Sequence, residues 1–386
     1  MKKICVVITA RSSYARLKTV LRELNKDPDM ELILIAAASL LLPKYGNAIE
    51  IVERDGFRVS EKAHILVEGG DTLAMAKTAG LGIADLVTIF DKYKPDIVIS
   101  VADRFETIST AIAASYMNIP IAHIQGGELS GSIDEKVRHA VTKLSNLHFV
   151  ANVSAARRVR QMGESDDRIF ITGCPSIDLA KEVAENLFFF DNNYFYSKYS
   201  GPGDKVYIDK SFVIVLQHPV TTELNEAFQQ MQETLNAVHE ERIPAIIFWP
   251  NADAGTDMTS KSIRMFREHN KPKNFYFLKN TAPEDFLALL IKSKCIIGNS
   301  SAAIREGSYL GVPAVNIGTR QNGRERGKNV IDVSYSKKEI VDALQRQLCR
   351  NKPFASETLY GDGTAGVKIA HILSEATPSI EKRFVE

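Results

Sequence analysis

Residues 295–327 read CIIGNSSAAIREGSYLGVPAVNIGTRQNGRERG. The run 295–297 is short and apolar, as in a strand buried on both faces. Gly298-Asn299-Ser300-Ser301 predicts a tight turn, and 302–310 has the composition of a helix. Gly311, with Pro313 just beyond it, stops that helix. Residues 314–317 form the next strand. This order puts Ser300 and Ser301 at a helix N-terminus, on the carboxyl edge of a parallel sheet. Unpaired N–H groups and the helix dipole favour an anion there. A serine at that place is also an ordinary N-cap. Glu306, a turn and a half further on, adds a carboxylate. It can accept from the vicinal hydroxyls of a ribose, as the acidic residue of dinucleotide sites does. Phosphate donors followed by a ribose acceptor suggest a nucleoside diphosphate.

The same alternation runs through the whole chain. Strands are predicted at 4–9, 31–38, 96–101, 119–124, 148–150 and 169–172, then at 212–216, 245–249, 275–278 and 330–333, with helices between them. The fold class is therefore α/β: two doubly wound, Rossmann-like domains, each offering its strand ends to a shared cleft. The 386 residues suit two domains of ordinary size. The expected division is 1–185, a linker at 186–209, 210–365, and a C-terminal helix at 366–386 that returns to the first domain. Phe188, Phe189, Phe190, Tyr194, Phe195 and Tyr196 stand in or beside the linker. They are expected to pack between domains or subunits.

Hydrophobic residues make up 45% and charged residues 25%, as in a soluble globular protein, and the formal net charge is +1. No general attraction to nucleic acid or to a membrane follows from that balance. Cys5, Cys174, Cys295 and Cys349 are scattered, without a CxxC pair, which fits a reducing cytoplasm and argues against structural zinc. The first apolar run reads as a strand rather than a leader, and 32–42 is too short to span a bilayer. There is no Walker A sequence and no GxGxxG after the first strand, so a dinucleotide cofactor is disfavoured. No carboxylate spacing matches a metal site. Neither cofactor nor metal is expected.

Candidate residues follow strands or open helices. The first half offers Arg11, Asp103, Arg104, Gln125, Glu128 and Asp134, and the second His218, Asn251, Ser300, Ser301, Glu306 and Arg320. Arg11 at a helix start is unfavourable for the dipole unless an anion is near. Asp103 and Arg104 form either a local ion pair or a base beside a phosphate ligand. His218 precedes Pro219, which holds its backbone extended. Gly126-Gly127 is expected to let backbone approach a ligand closely. His123 reads as structural, and His139 is open.

The segments ADRFET, HIQGGELSGSIDEKVRHAVTKL, GCPS, LQHPVTTE, WPNADAG and 298–327 together resemble the hydrolysing UDP-N-acetylglucosamine 2-epimerases. The resemblance runs from Ile4 to about Gly363. It implies a glycosyltransferase-B-like architecture with the site between the domains, and a homo-oligomer, dimer or tetramer, is expected. The implied reaction converts UDP-N-acetylglucosamine and water to N-acetylmannosamine and UDP through a 2-acetamidoglucal. By position, Asp103 and Asp134 would be the acid/base pair. His218, Arg11, Arg104, Ser300, Ser301 and Arg320 would hold the diphosphate side. Glu306 would take the ribose, with Asn251, Thr281 and Gly298 nearby. One departure stands out. Relatives that form N-acetylmannosamine often carry a glutamate where this chain has Gln125, and a glutamine is no general base. Either Glu128 or Asp134 takes that role, or the substrate is a 2,4-diacetamido-trideoxy sugar nucleotide. A glycosyltransferase of the same fold and a non-catalytic UDP-sugar-binding protein are the competing readings.

Overall fold

Residues 1–102, 104–187, 190–350 and 353–385 are described by a computed structural model. In chain order the first elements are β1 (Lys2–Ile8), α1 (Arg11–Ala15), α2 (Lys18–Lys26), β2 (Met30–Ala37), α3 (Ala48–Arg54), β3 (Glu61–Ala63), α4 (Thr72–Tyr93), β4 (Ile97–Val101), α5 (Thr107–Tyr116), β5 (Ile121–Ile124), α6 (Ile133–Leu144), β6 (Leu147–Val150), α7 (Val153–Gln161), β7 (Ile169–Ile171), α8 (Pro175–Glu185) and α9 (Asn192–Lys198). Then come β8 (Val213–Leu216), α10 (Ala227–Glu240), β9 (Ala245–Phe248), α11 (Thr256–Asn270), β10 (Phe275–Leu278), α12 (Pro283–Lys292), β11 (Cys295–Gly298), α13 (Arg305–Leu310), β12 (Ala314–Ile317), β13 (Val330–Val333), α14 (Lys337–Leu348) and α15 (Ala365–Glu375).

The chain forms two compact units. One holds Met1–Leu129, Ile133–Leu179 and Tyr360–Glu386, the other Ser130–Ser132 and Ala180–Leu359. Among the described residues the first carries a seven-stranded sheet in the order β3-β2-β1-β4-β5-β6-β7. The second carries six strands in the order β10-β9-β8-β11-β12-β13. Neighbouring strands are parallel throughout. The continuous apolar runs have the expected cause: β4, β5, β8, β9, β10, β11 and β12 are buried along their whole length.

In the first unit Ile4, Val6 and Ile8 of β1 share a core with Leu21 of α2 and with Ile369 and Leu373 of α15. The last helix thus packs on the first strand. Two side chains fasten it. The Asp178 carboxylate accepts from the Ala365 and Gly366 amides at 2.9 and 2.6 Å, and from Thr19 Oγ1 at 3.2 Å. Lys2 Nζ donates to the carbonyls of Leu373, Ser374 and Ala376 at the other end of the helix. Each end therefore receives the charge its dipole favours.

Beyond α15 the tail is held by Glu164, which is 3% exposed. Its carboxylate meets Lys143 at 2.6 Å, Lys382 at 2.7 Å and His148 at 3.0 Å. Burial opposes the Glu164 charge, but these donors outweigh it and hold the carboxyl at about 2.

The expected linker is not a bare connection. Phe195 is fully buried within the second unit, its ring 4.9 Å from that of Tyr196, which lies 5.2 Å from Tyr276 on β10. Tyr199 Oη donates to Asp285 at 2.5 Å, and Lys198 pairs with the same carboxylate at 2.9 Å. Phe190, Tyr194, Phe195 and Tyr196 pack against one another inside this unit; Phe188 and Phe189 lie outside the described residues. The four cysteines are free, and all but Cys349 are buried.

Two outcomes test this packing. Asp178→Ala leaves buried amides of α15 without an acceptor, and should cost about 1–3 kcal/mol in urea unfolding. Glu164 is depressed from an ordinary 4.5 to about 2. The stability it contributes is complete above about pH 4.5 and is lost as pH falls through about 2. Glu164→Gln should therefore flatten the stability curve across that window, followed by urea midpoints at stepped pH.

Candidate active site

Both sheets end in the same way. At several strands the residue that leaves or closes the strand adopts a left-handed conformation: φ is 54° at Ala102 after β4 and 69° at Gln125 after β5. It is 72° at Gly318 after β12, and Gly298 itself, at φ 130°, closes β11. Each turn re-aims the chain at the carboxyl edge of its sheet, where ligands bind in open α/β folds.

In the first unit Arg11 and Arg104 each stand three residues past adjacent parallel strands, β1 and β4. Burial, and then the charge of Arg104, lower the Arg11 guanidinium to about 10. It stays protonated at neutral pH, and two cations held against mutual repulsion suit an anion. Arg104 pairs with Glu106, Nε to Oε1 at 2.6 Å. Asp103 lies outside the described residues.

Gln125 is 1% exposed; its Nε2 donates to Cys174 Sγ, while Oε1 is buried without a partner among the described residues. Cys174 Sγ also meets Ser176 Oγ at 2.9 Å. Glu128 is buried, and its carbonyl accepts from the fully buried Arg138 at 2.7 Å. Asp134 stands with Glu135 in the first turn of α6, partly exposed. His139 binds Glu135 at 3.0 Å. His123 is structural, its ring held between Thr142 Oγ1 and the Ala102 carbonyl, both at 3.2 Å.

The two glycines after Gln125 pack closely against protein. A Cβ at Gly127 would lie 2.3 Å from the Ala155 carbonyl, and one at Gly126 would lie 3.0 Å from His123 Nδ1. Their bare faces admit the His123 ring and α7.

In the second unit the site gathers around Asn299, which sequence reasoning passed over as a turn residue. Asn299 is fully buried. Its Oδ1 accepts from the His218 N–H at 2.7 Å, and its Nδ2 donates to the His218 carbonyl at 2.8 Å. Its own carbonyl accepts from Gln321 Nε2 at 2.8 Å and from Arg320 at 3.3 Å. The Asn251 amide donates to His218 Nδ1 at 3.2 Å. Arg320 is also held by its carbonyl, which accepts from Gly131 at 3.0 Å. His218, Asn251, Arg320 and the serine turn are thus tied together.

The helix expected at 302–310 is divided. Residues Ser301–Ala303 form one 3-10 turn, and α13 begins only at Arg305. Asn329 Nδ2 takes the Ala303 carbonyl at 3.1 Å, which a continuous helix would have used. Ser300 Oγ caps the Ala302 amide at 3.3 Å, and Ser301 Oγ accepts from Arg305. The dipole expected behind the serines is therefore that of a six-residue helix at most. Glu306 is 8% exposed, with Oε2 unpartnered among the described residues. Thr281 is buried just before α12. Arg305, 1% exposed, has no signal in the sequence, because an arginine on a helix ordinarily reads as surface. Among the described residues no group of three or more His, Cys, Asp or Glu is placed to hold a metal ion.

A chain of two doubly wound α/β units, with polar groups converging at the strand ends, belongs to the glycosyltransferase-B-like class. Its fold matches the crystal structure of UDP-GlcNAc 2-epimerase from Neisseria meningitidis bound to UDP-GlcNAc, with a TM-score of 0.79 at 16% identity over 97% of this chain and 100% of that one. The family profile described as UDP-N-acetylglucosamine 2-epimerase matches residues 22–374. The chain is 31% identical to the UDP-N,N'-diacetylbacillosamine 2-epimerase (hydrolyzing) of Legionella pneumophila, over 97% of this chain and 96% of the relative. It is 30% identical to the UDP-N-acetylglucosamine 2-epimerase of N. meningitidis, over 100% and 99%. The protein belongs to the UDP-N-acetylglucosamine 2-epimerase family and is an enzyme of that family.

Gly298 offers a direct check on the local geometry. A Cβ there would lie 2.2 Å from the Leu216 carbonyl, in a backbone conformation that side chains rarely adopt. Gly298→Ala should destabilise the second unit by on the order of 3 kcal/mol, read by thermal unfolding.

Proposed function

We propose that the protein is a hydrolysing 2-epimerase of a UDP-linked 2-acetamido sugar. It releases UDP and the free C2-epimer, with UDP-N-acetylglucosamine as substrate and N-acetylmannosamine as product. The observation that carries this reading is the arrangement around Asn299 in a chain of this family: His218 and Arg320 beside the serine turn, with a Glu306 carboxylate oxygen unpartnered among the described residues on the following helix. His218, Ser300, Ser301, Arg320, Arg11 and Arg104 are assigned to the diphosphate and Glu306 to the ribose.

A carboxylate removes the C2 proton while the C1–O bond breaks and UDP leaves with its electron pair. The product is a 2-acetamidoglucal. Water then adds its hydroxyl to C1, and a proton returns to the opposite face of C2. One water is consumed, and the sum is sugar nucleotide plus water giving free sugar plus UDP. Asp134 and Asp103 are assigned the proton transfers. Gln125 cannot take a proton at neutral pH and is assigned to positioning.

A second substrate has its own support. The Legionella relative is named for a diacetylated bacillosamine nucleotide, and Gln125 stands where a general base for the N-acetylglucosamine reaction would be expected. A UDP-2,4-diacetamido-2,4,6-trideoxy sugar is therefore the alternative. The protein is assigned to a homo-oligomer that acts without a cofactor, in the cytoplasm.

Incubation in D2O with each sugar nucleotide decides among these readings. The epimerase gives UDP and a free sugar carrying one deuterium at C2. A glycosyltransferase gives no UDP without an acceptor, and a binding protein gives no product. Asp134→Asn, and separately Asp103→Asn, should lower kcat by about 10²–10⁴-fold with UDP affinity retained. Turnover at the wild-type rate removes that residue from the mechanism.

A further inference from the structure

We infer that Asn299 is the positioning residue for His218, fixing its main chain so that the imidazole serves the departing diphosphate as an Nε2–H donor. The identity of the ligand rests on the proposed function; the geometry does not. Asn299 spends both side-chain atoms on the main chain of one residue, at 2.7 and 2.8 Å. Two bonds to one peptide segment fix its orientation as well as its distance. His218 needs such a hold. Pro219 behind it supplies no N–H, and β8 has already ended at Leu216.

Only a carboxamide satisfies both groups. Aspartate would set a second acceptor against the His218 carbonyl, and leucine would leave two buried main-chain groups unpaired. Asn299 reaches this place because Gly298, without a Cβ, lets the end of β11 lie against the Leu216 carbonyl, which then accepts from the Asn299 N–H at 3.2 Å. The carbonyl of Asn299 in turn carries Arg320 and Gln321, so one residue sets His218 and Arg320 together.

The ring state follows from the Asn251 amide. It donates to Nδ1, and a protonated Nδ1 could not accept. The proton of the neutral imidazole is therefore on Nε2. In this geometry His218 donates a hydrogen bond and does not collect the C2 proton through Nδ1, which leaves proton abstraction to the carboxylates.

The test uses full-length protein labelled with 15N-histidine, UDP titration, and steady-state kinetics on both sugar nucleotides. In the wild type the His218 ring should show an unprotonated Nδ1 and a protonated Nε2, with and without UDP. A ring protonated on Nδ1 overturns the inference. Asn299→Ala should lower kcat about 100-fold, as a misplacement near 1 Å does, and weaken UDP about tenfold. It should also admit the other ring tautomer. A variant with kcat within about threefold of wild type and an unchanged ring spectrum would falsify the role. A loss of folded fraction alone would lower kcat without altering the ring signals of the folded molecules, and also counts against it. If Asn299→Ala does not fold, Asn299→Asp keeps the acceptor for the His218 N–H but sets a second acceptor against its carbonyl. Its kcat should fall about tenfold and its ring spectrum should change; an unchanged kcat and ring spectrum overturn the inference. Should the wild type release no UDP from either nucleotide, the epimerase reading falls, while the ring spectrum and UDP affinity still decide the role of Asn299.

Discussion

A strand buried on both faces has to spend its hydrogen bonds on its neighbours, and it is free to do chemistry only where that ladder stops. Both units are built on this constraint. The first residues past the ladder turn left-handed at Ala102, Gln125 and Gly318, and Gly298 does so at the last rung. Beyond those turns the main chain has few strand partners left, such as the Leu216 carbonyl for the Asn299 N–H. Side chains take over its pairing: His123 on the Ala102 carbonyl, Asn299 on His218, Arg138 on the Glu128 carbonyl. The polar groups at the strand ends are thus held by other buried polar groups, which makes the geometry stiff at the place where an open loop would be loose.

The strands were legible because apolar runs of four to seven residues between glycines and polar turns have few other uses in a chain of this composition. The serine turn, His218 and Arg320 were legible by placement, since each follows a strand. Other features were hidden for identifiable reasons. The break between Ala303 and Arg305 depends on Asn329, a distant side chain that takes a helical carbonyl. Gly126 and Gly127 looked like ligand-facing glycines, yet their bare faces meet His123 and Ala155. The aromatic stretch near Phe195 looked like a link because its partners, Tyr276 and Asp285, lie some ninety residues away in sequence. Asn299 was invisible because an asparagine after a glycine reads as turn chemistry, and only the folded chain shows both ends of its amide occupied.

The serines illustrate how close a cap and a ligand site lie. Ser300 does cap a turn, and Ser301 does accept from Arg305. With only a single 3-10 turn behind them, the helix dipole contributes little, and any anion here relies on side-chain donors such as Arg320, Arg305 and His218. Family membership raises the weight of that reading without altering the geometry.

The packing of α15 against β1 and α2 has a consequence for biosynthesis. The core that surrounds Ile4 and Leu21 is completed by Ile369 and Leu373, which leave the ribosome only after all of Ala180–Leu359. The second unit can therefore close while the first still lacks a wall. During translation the opening half of the polypeptide waits, with apolar surface uncovered, for its own last helix.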